Sequence, residues 1–349
     1  MPAKERAAIL AAPGFGRYFT DHMASALWTP DDGWHGRRIG PLEPFTLHPG
    51  TAVLHYAQEI FEGLKAYRHP DGSVWLFRPE LNARRFARSA RRLALPSLPE
   101  EDFLVGLAEL IRADEPWVPA NSSGKSLYLR PFMFASDVFI GARSAERVVY
   151  TVLAGPAGPL FASGQDGVTL WVSSRYTRAA EGGTGHVKYG GNYAASLAAQ
   201  IEAQQHGCDQ VMYLDRTGGE GDLEESGTMN LFLITSGGEL LTPALGTILE
   251  GVTRDTVLTL APGFGLTPAE RPISLRELRS RAADGSITEA FAAGTAAVIT
   301  PIAGFKGDGY AFTVGSGTPG KLTLALREQV LGIQYGHAED RHGWLRRVL

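Results

Sequence analysis

Cysteine is almost absent: the 349-residue chain carries one, Cys208. A single thiol excludes an intramolecular disulfide and any metal site built on clustered cysteines, and it fits a reducing compartment. Long apolar runs are missing too, and none approaches the roughly 18 residues of a membrane-spanning helix. The run Ala7–Ala12, after Lys4 and Arg6, is short for a secretory apolar region and stops at Pro13, so a cytoplasmic location is expected. An excess of positive charge is also lacking. With 33 Lys and Arg against 37 Asp and Glu, the formal net charge is −4, which argues against nucleic acid or an anionic membrane as partner. Histidines form no metal-ligand pattern; His337 and His342 stand five apart in a polar tail. A Gly-x-Ser-x-Gly nucleophile elbow is absent.

What is present is the composition of an ordinary globular protein, 44 % hydrophobic and 20 % charged. At roughly 150 residues per domain the length predicts two domains, large enough to fold without covalent staples. Strand-like runs occupy Ser73–Phe77, Ser126–Phe134 and Arg147–Ala154, and helical spacing marks Glu80–Leu95 and Pro99–Ala113. Residues 155–167 hold four Gly and two Pro without periodicity and are the expected interdomain linker, with domains at 1–154 and 168–349. Further strands are predicted at Val168–Ser173, Gln210–Leu214, Met229–Thr235 and Glu239–Thr242. Helices are predicted at Asn192–His206, Thr253–Leu260, Leu275–Ala282 and Lys321–Leu331. For the first of these helices Ala194, Leu197, Ala198 and Ile201 make the apolar face. Strands and helices interleave without strict alternation, so the fold class is α+β.

Several stretches ask for more than packing. Lys188 lies among Gly182, Gly183, Gly185, Gly190 and Gly191. Such a segment is either a flexible loop or a backbone packed tightly around a lysine whose desolvated amine can act as a nucleophile. In Leu223–Leu233, acidic residues precede an apolar strand; a carboxylate there is a solvated turn residue or an acceptor for a cationic ring nitrogen. The corners Gly251-Val252-Thr253 and Gly294-Thr295 stand before a helix and a strand, and each is a simple cap or turn or an anion site. Arg84, Arg85, Arg88, Arg91 and Arg92 share one helix; most belong to a solvated face, with room for one to turn inward to a phosphate. Gly315–Lys321 fits G-x-x-x-x-G-K, but Leu322 replaces the magnesium-binding hydroxyl and Pro319 removes a backbone donor, so a turn is the better reading than a nucleotide site.

Taken in order along the chain, these segments resemble the branched-chain-amino-acid aminotransferases, pyridoxal-phosphate enzymes of fold type IV. The resemblance runs from Phe15–Met23 to the final helix. Its most specific pieces are Tyr56, Phe61–Tyr67, Leu76–Pro79, Asn82–Arg92, Tyr128–Pro131, Lys188–Tyr193, Glu225–Asn230, Gly251–Arg254 and Gly294–Ala296. It implies a two-domain fold like that of D-amino-acid aminotransferase, with a smaller N-terminal and a larger C-terminal domain. By the same resemblance Lys188 would carry the cofactor aldehyde as a Schiff base, Tyr193 would bond the ring hydroxyl oxygen and Glu225 would face the ring nitrogen. A carboxylate there keeps the nitrogen protonated and the ring able to accept electrons. Arg85, Val252, Thr253 and Thr295 would surround the phosphate. Thr228, which would also contact the cofactor, and Ala296 would face the substrate α-carboxylate, and Phe15, Tyr56, Phe61, Tyr128 and Arg130 would line the side-chain pocket.

The activity implied is ping-pong transfer of an amino group between leucine, isoleucine or valine and 2-oxoglutarate, in a homodimer. Rival readings are a D-amino-acid aminotransferase, an aminodeoxychorismate lyase or a non-catalytic relative. Two departures from the family pattern stand out. A redox Cys-x-x-Cys found in some members reads Ala297-Val-Ile-Thr300 here, and near the linker Leu160 and Phe161 stand where some relatives place an aromatic.

Overall fold

The apolar runs at 126–134 and 147–154 become the long central strands of a sheet. In the computed structural model, which describes residues 1–158 and 167–349, they are β6 (Ser126–Ala135) and β7 (Val148–Ala157). They pair antiparallel from Ser126 opposite Ala157 to Ala135 opposite Val148. With β1 (His22–Thr29), β2 (Gly33–Pro41), β3 (Glu59–Phe61), β4 (Leu64–Arg68), β5 (Val74–Phe77) and β17 (Leu345–Arg347) they form an eight-stranded sheet ordered β17-β5-β4-β6-β7-β1-β2, with β3 on β6. The helices of this unit are α1 (Ala3–Ala11), α2 (Ala52–Tyr56), α3 (Pro79–Arg92) and α4 (Glu100–Ala113).

Proline at the first position of α3 suits a helix start, where its missing N–H costs nothing. Ala83, Phe86 and Ala90 are buried with Phe103, Leu107 and Leu110 of α4 and with Leu127, Leu129 and Val152 of the sheet. Arg84, Arg88, Arg91 and Arg92 face solvent, while Arg85 is buried. The inward arginine of the Arg-rich helix is therefore Arg85.

The second unit is a nine-stranded sheet ordered β10-β9-β8-β15-β14-β11-β12-β13, with β16 on β15. Its strands are β8 (Val168–Val172), β9 (Gln210–Leu214), β10 (Leu223–Ser226), β11 (Met229–Thr235), β12 (Glu239–Thr242), β13 (Thr267–Glu270), β14 (Ile287–Gly294), β15 (Val298–Gly307) and β16 (Tyr310–Thr313). Its helices are α5 (Gly190–Gln205), α6 (Val252–Leu260), α7 (Leu275–Ala283) and α8 (Lys321–Gln334). Every residue of β11 is buried because both faces of the sheet are covered. Leu231 and Leu233 point to a core shared with Leu278 of α7, and Phe232 and Ile234 to one shared with Val257 of α6 and Leu326 of α8. Period-two alternation of side chains divides one apolar run between two cores.

Three expectations meet a different structure. The chain divides into Met1–Leu160 with Val187–Gly190 and Gly332–Leu349, and Phe161–His186 with Gly191–Leu331. Residues 332–349 thus belong with the N-terminal half, because β17 pairs antiparallel with β5. The two units are close in length rather than small and large. The expected linker begins inside β7, and Leu160 and Phe161, with most of 155–167, lie outside the described residues.

On α5 the buried face is Ala199 and Ala203, packed on Trp171, Val211 and Tyr213, whereas Leu197 and Ile201 are 61 % and 55 % exposed. Two alanines let the helix lie close to large rings, which periodicity of the bulkier residues does not foresee. The Gly315–Lys321 stretch is a turn into α8, as expected. The Glu289 carboxylate accepts the backbone N–H groups of Leu322 (3.1 Å) and Thr323 (2.8 Å), filling the place a phosphate would take. Among the described residues no helix is long and apolar enough to cross a membrane.

Candidate active site

Lys188 belongs to the four-residue stretch Val187–Gly190 that the first unit claims. Its backbone is pinned on both sides. The Lys188 N–H donates to Ser89 Oγ of α3 at 3.0 Å, and its carbonyl accepts the Phe61 N–H of β3 at 3.0 Å. Gly190, the first residue of α5, donates its N–H to Glu59 Oε1 at 2.6 Å, and any Cβ at Gly190 would overlap that carboxylate. The backbone of this segment is therefore held by hydrogen bonds, and Lys188 itself is half-buried. The Lys188 amine lies over the Phe61 ring, 4.8 Å from its centroid.

Phe61 also carries Arg130 over its ring at 4.7 Å. Arg130 donates from Nη2 to the Tyr128 hydroxyl at 2.9 Å, and Phe15 meets the Tyr128 ring edge-on at 5.1 Å. Sequence spacing puts Tyr128 and Arg130 on one side of β6, and Gly63 makes the room: a Cβ there would overlap the Tyr128 hydroxyl. Arg130 Nε is buried and makes no hydrogen bond among the described residues. The cluster thus combines aromatic walls with a cation and a hydroxyl suited to a carboxylate. Burial pushes the Glu59 carboxyl up, with the Gly190 N–H and the Arg130 charge pulling the other way.

Arg85 is held by Glu62, its Nε 2.7 Å from Oε1 and its Nη2 2.9 Å from Oε2. Asn82 Nδ2 and the Gly63 N–H complete the carboxylate at 2.8 and 3.1 Å. Burial would push the Glu62 carboxyl up, but Arg85, Lys188 and Asn82 outweigh it and hold it below the usual range.

In the second unit Glu225 is 2 % exposed on β10. Its Oε1 accepts the Leu249 N–H at 2.7 Å and its Oε2 lies 3.4 Å from Arg178 Nε. Leu249 leads into α6, whose N-cap is Gly251 with no side-chain cap bond. By contrast α7 is capped by Ser274 and α8 by Glu289. Val252 and Thr253, both buried, stand in the uncapped first turn of α6, where N–H groups and the helix dipole favour an anion.

The family model Amino-transferase class IV matches residues 59–305. A branched-chain-amino-acid aminotransferase of Mycolicibacterium smegmatis is 50 % identical over 347 residues, covering 98 % of this chain and 94 % of that protein. The chain belongs to the class IV aminotransferases, with the branched-chain-amino-acid aminotransferases. Among solved structures, the Escherichia coli branched-chain amino acid aminotransferase superposes with a TM-score of 0.77 at 28 % identity, covering 95 % of this chain and all of that one. That of Thermobaculum terrenum in its PLP form gives 0.76 at 26 %, covering 95 % and 99 %. These relatives favour the branched-chain reading over the D-amino-acid aminotransferase and lyase alternatives.

In this class IV aminotransferase the remaining expected residues fall as follows. Tyr193 is half-buried in the first turn of α5, and Thr295 and Ala296 are half-buried just beyond β14. Thr228 is exposed in the turn between β10 and β11, and Tyr56, 40 % exposed at the end of α2, stacks on Phe139. Among the described residues no cluster of metal-ligating side chains occurs. Sequence reasoning missed Glu59, Glu62, Ser89 and Arg178. A faint signal existed for Glu62, an acid inside an apolar strand pair; for Ser89 and Arg178 none did, since their partners are distant in sequence.

Proposed function

We propose that this chain catalyses reversible amino-group transfer between branched-chain amino acids and 2-oxoglutarate, with pyridoxal phosphate as cofactor. The donor set fits that group in its chemistry. A packed lysine suits an aldehyde, a buried carboxylate suits a ring nitrogen, and an uncapped helix start with Thr253 suits a phosphate. When bound, the cofactor supplies a carbonyl that takes up the amino group and a ring that accepts electrons from the substrate Cα.

The chain's own residues then have these parts. Lys188 Nζ would hold the cofactor aldehyde and, once the substrate amine has displaced it, would carry the proton from the substrate Cα to the carbon that was the cofactor's aldehyde. Glu225 holds the charge of the ring nitrogen, and Tyr193 bonds the ring hydroxyl oxygen. Arg85, Val252, Thr253 and Thr295 bind the phosphate. Thr228 and Ala296 face the substrate α-carboxylate. Phe15, Tyr56 and Phe61 suit an aliphatic side chain, and Tyr128 and Arg130 the distal carboxylate of glutamate or 2-oxoglutarate. The first unit exposes Leu54, Val138 and Ile140 (59 %, 58 % and 82 %) with Tyr56, an apolar set that supports a homodimer. The location we propose is the cytoplasm, in keeping with one cysteine, itself buried.

One observation carries the reading: Lys188 is fixed through both backbone groups with its amine over an aromatic ring. Titrating the purified protein with leucine tests it. A visible cofactor band that converts to a pyridoxamine-like band is expected; a colourless protein, or conversion by D-alanine alone, overturns it.

A further inference from the structure

Glu224 and Glu225 are neighbours on β10, both buried, and the positive charge beside them is Arg178, whose side chain is itself 7 % exposed. Arg178 is steered by two carbonyls: its Nη2 donates to Gly185 O at 3.1 Å and to Thr247 O at 2.5 Å. Gly185 must be glycine for this, because a Cβ would overlap Ala179 and the Thr247 carbonyl. So anchored, the guanidinium keeps Nε 3.4 Å from Glu225 Oε2 and makes no hydrogen bond through that nitrogen among the described residues. Thr247 links the second acid as well, its hydroxyl donating to Glu224 Oε1.

We propose that Arg178 is a positioning residue that keeps Glu225 ionised opposite the cofactor nitrogen, acting by its charge and not as a hydrogen-bond partner. The proposal rests on the reading of Glu225 as the ring-nitrogen partner. Burial disfavours a charged carboxylate, and an opposite charge at this range lowers an acid's pKa by about 1–3 units. Glu224 shows the burial effect: its carboxyl is pushed up although Thr247 and Arg178 pull it down. The other groups facing this corner are Tyr213 of β9 and Asp215, the residue after that strand. Tyr213 is pushed up to about 12 by burial, so it stays neutral, and Asp215 is held low first by its hydrogen bond from Arg216. Leu249 contributes a neutral N–H, and Glu250 beside it is exposed. Arg178 therefore offsets a surplus of negative charge, and without it Glu225 takes up a proton and cannot balance the ring nitrogen.

The test compares Arg178→Gln, Arg178→Lys and Glu225→Gln holoenzymes by the pH profile of kcat and by the pH midpoint of the bound cofactor's visible band. Removing a positive charge raises the proton affinity of its neighbours, so Arg178→Gln is expected to move the acid limb and the band midpoint upward by about one pH unit or more. At neutral pH its kcat falls about tenfold or more, while KM for leucine changes far less. Arg178→Lys keeps the charge and both wild-type positions. Wild-type positions in Arg178→Gln overturn the proposal, as does a lysine variant displaced as far as the glutamine one. Should the glutamine variant not fold, the lysine variant decides alone: an unmoved midpoint supports the proposal and a displaced one overturns it. Glu225→Gln separates the two readings. If it keeps wild-type kcat, the role of Glu225 falls; if it is impaired while Arg178→Gln is unmoved, only the role of Arg178 falls.

Discussion

Arg85 reaches Glu62 through two parallel hydrogen bonds, and both side chains are almost wholly buried, at 4 % and 0 % exposed. A charge pair at this depth is held by geometry, with Asn82 and the Gly63 N–H saturating the carboxylate. An arginine so fixed has its orientation set before any anion arrives, the preorganisation that its proposed phosphate role requires.

Breaking that pair is costly. Glu62→Gln removes the carboxylate charge that faces buried Arg85, and a loss of about 3–5 kcal/mol is expected from chemical denaturation. The Glu62 carboxyl is held below 4.5, so its stabilising share is complete above that pH and is lost as the pH falls through the lowered value. Wild-type stability should therefore drop more steeply on acidification than that of the variant. Parallel acid limbs would show that Glu62 does not titrate this way.

On the proposed reading Lys188→Ala removes both the covalent anchor and the proton carrier, so transamination of leucine should fall by several powers of ten. Borohydride reduction followed by peptide mapping should place the pyridoxyl label on the peptide containing residue 188 in the wild type and nowhere in the variant.

Glu59 tests how the lysine segment is held. In Glu59→Ala the Gly190 N–H loses its acceptor, which should cost about 1–3 kcal/mol and lower kcat as Lys188 loosens. Glu59→Gln keeps an acceptor oxygen and should retain most activity. The Glu59 carboxyl is raised above 4.5, so its share of stability is complete below that pH and fades as pH climbs through the raised value. Denaturation midpoints of wild type and glutamine variant, measured across that range, should cross over in the variant's favour.

Gly63→Ala probes the cation–aromatic cluster. The added methyl overlaps the Tyr128 hydroxyl, and overpacking should cost about 1–3 kcal/mol. Because Tyr128 partners Arg130, KM for 2-oxoglutarate should rise more than KM for leucine. Equal changes for the two substrates would detach this pair from carboxylate recognition.

Much of the fold was legible locally. The strands at 126–134 and 147–154 and the helices at 253–260 and 275–282 fall within a few residues of expectation, because each depends on a run of its own side chains. The face of α5 was not legible, since alanines facing Trp171 and Tyr213 outcompete the bulkier Leu197 and Ile201. Lys188 stands out as a lysine among five glycines, whereas only the family resemblance singles out Glu225 from its acidic neighbour. Ser89, Glu59 and Arg178 do not stand out, for what they do depends on atoms brought near by folding. The false nucleotide motif shows the converse: Gly315–Lys321 has the pattern, but the place of the anion is taken by Glu289.

The pairing of β17 with β5 has a further consequence for how the chain matures. The outer edge of the first sheet waits for a strand that leaves the ribosome only after the whole second sheet has been made. Until then β5 offers bare amides and carbonyls at the margin of the first sheet, open to any extended neighbour.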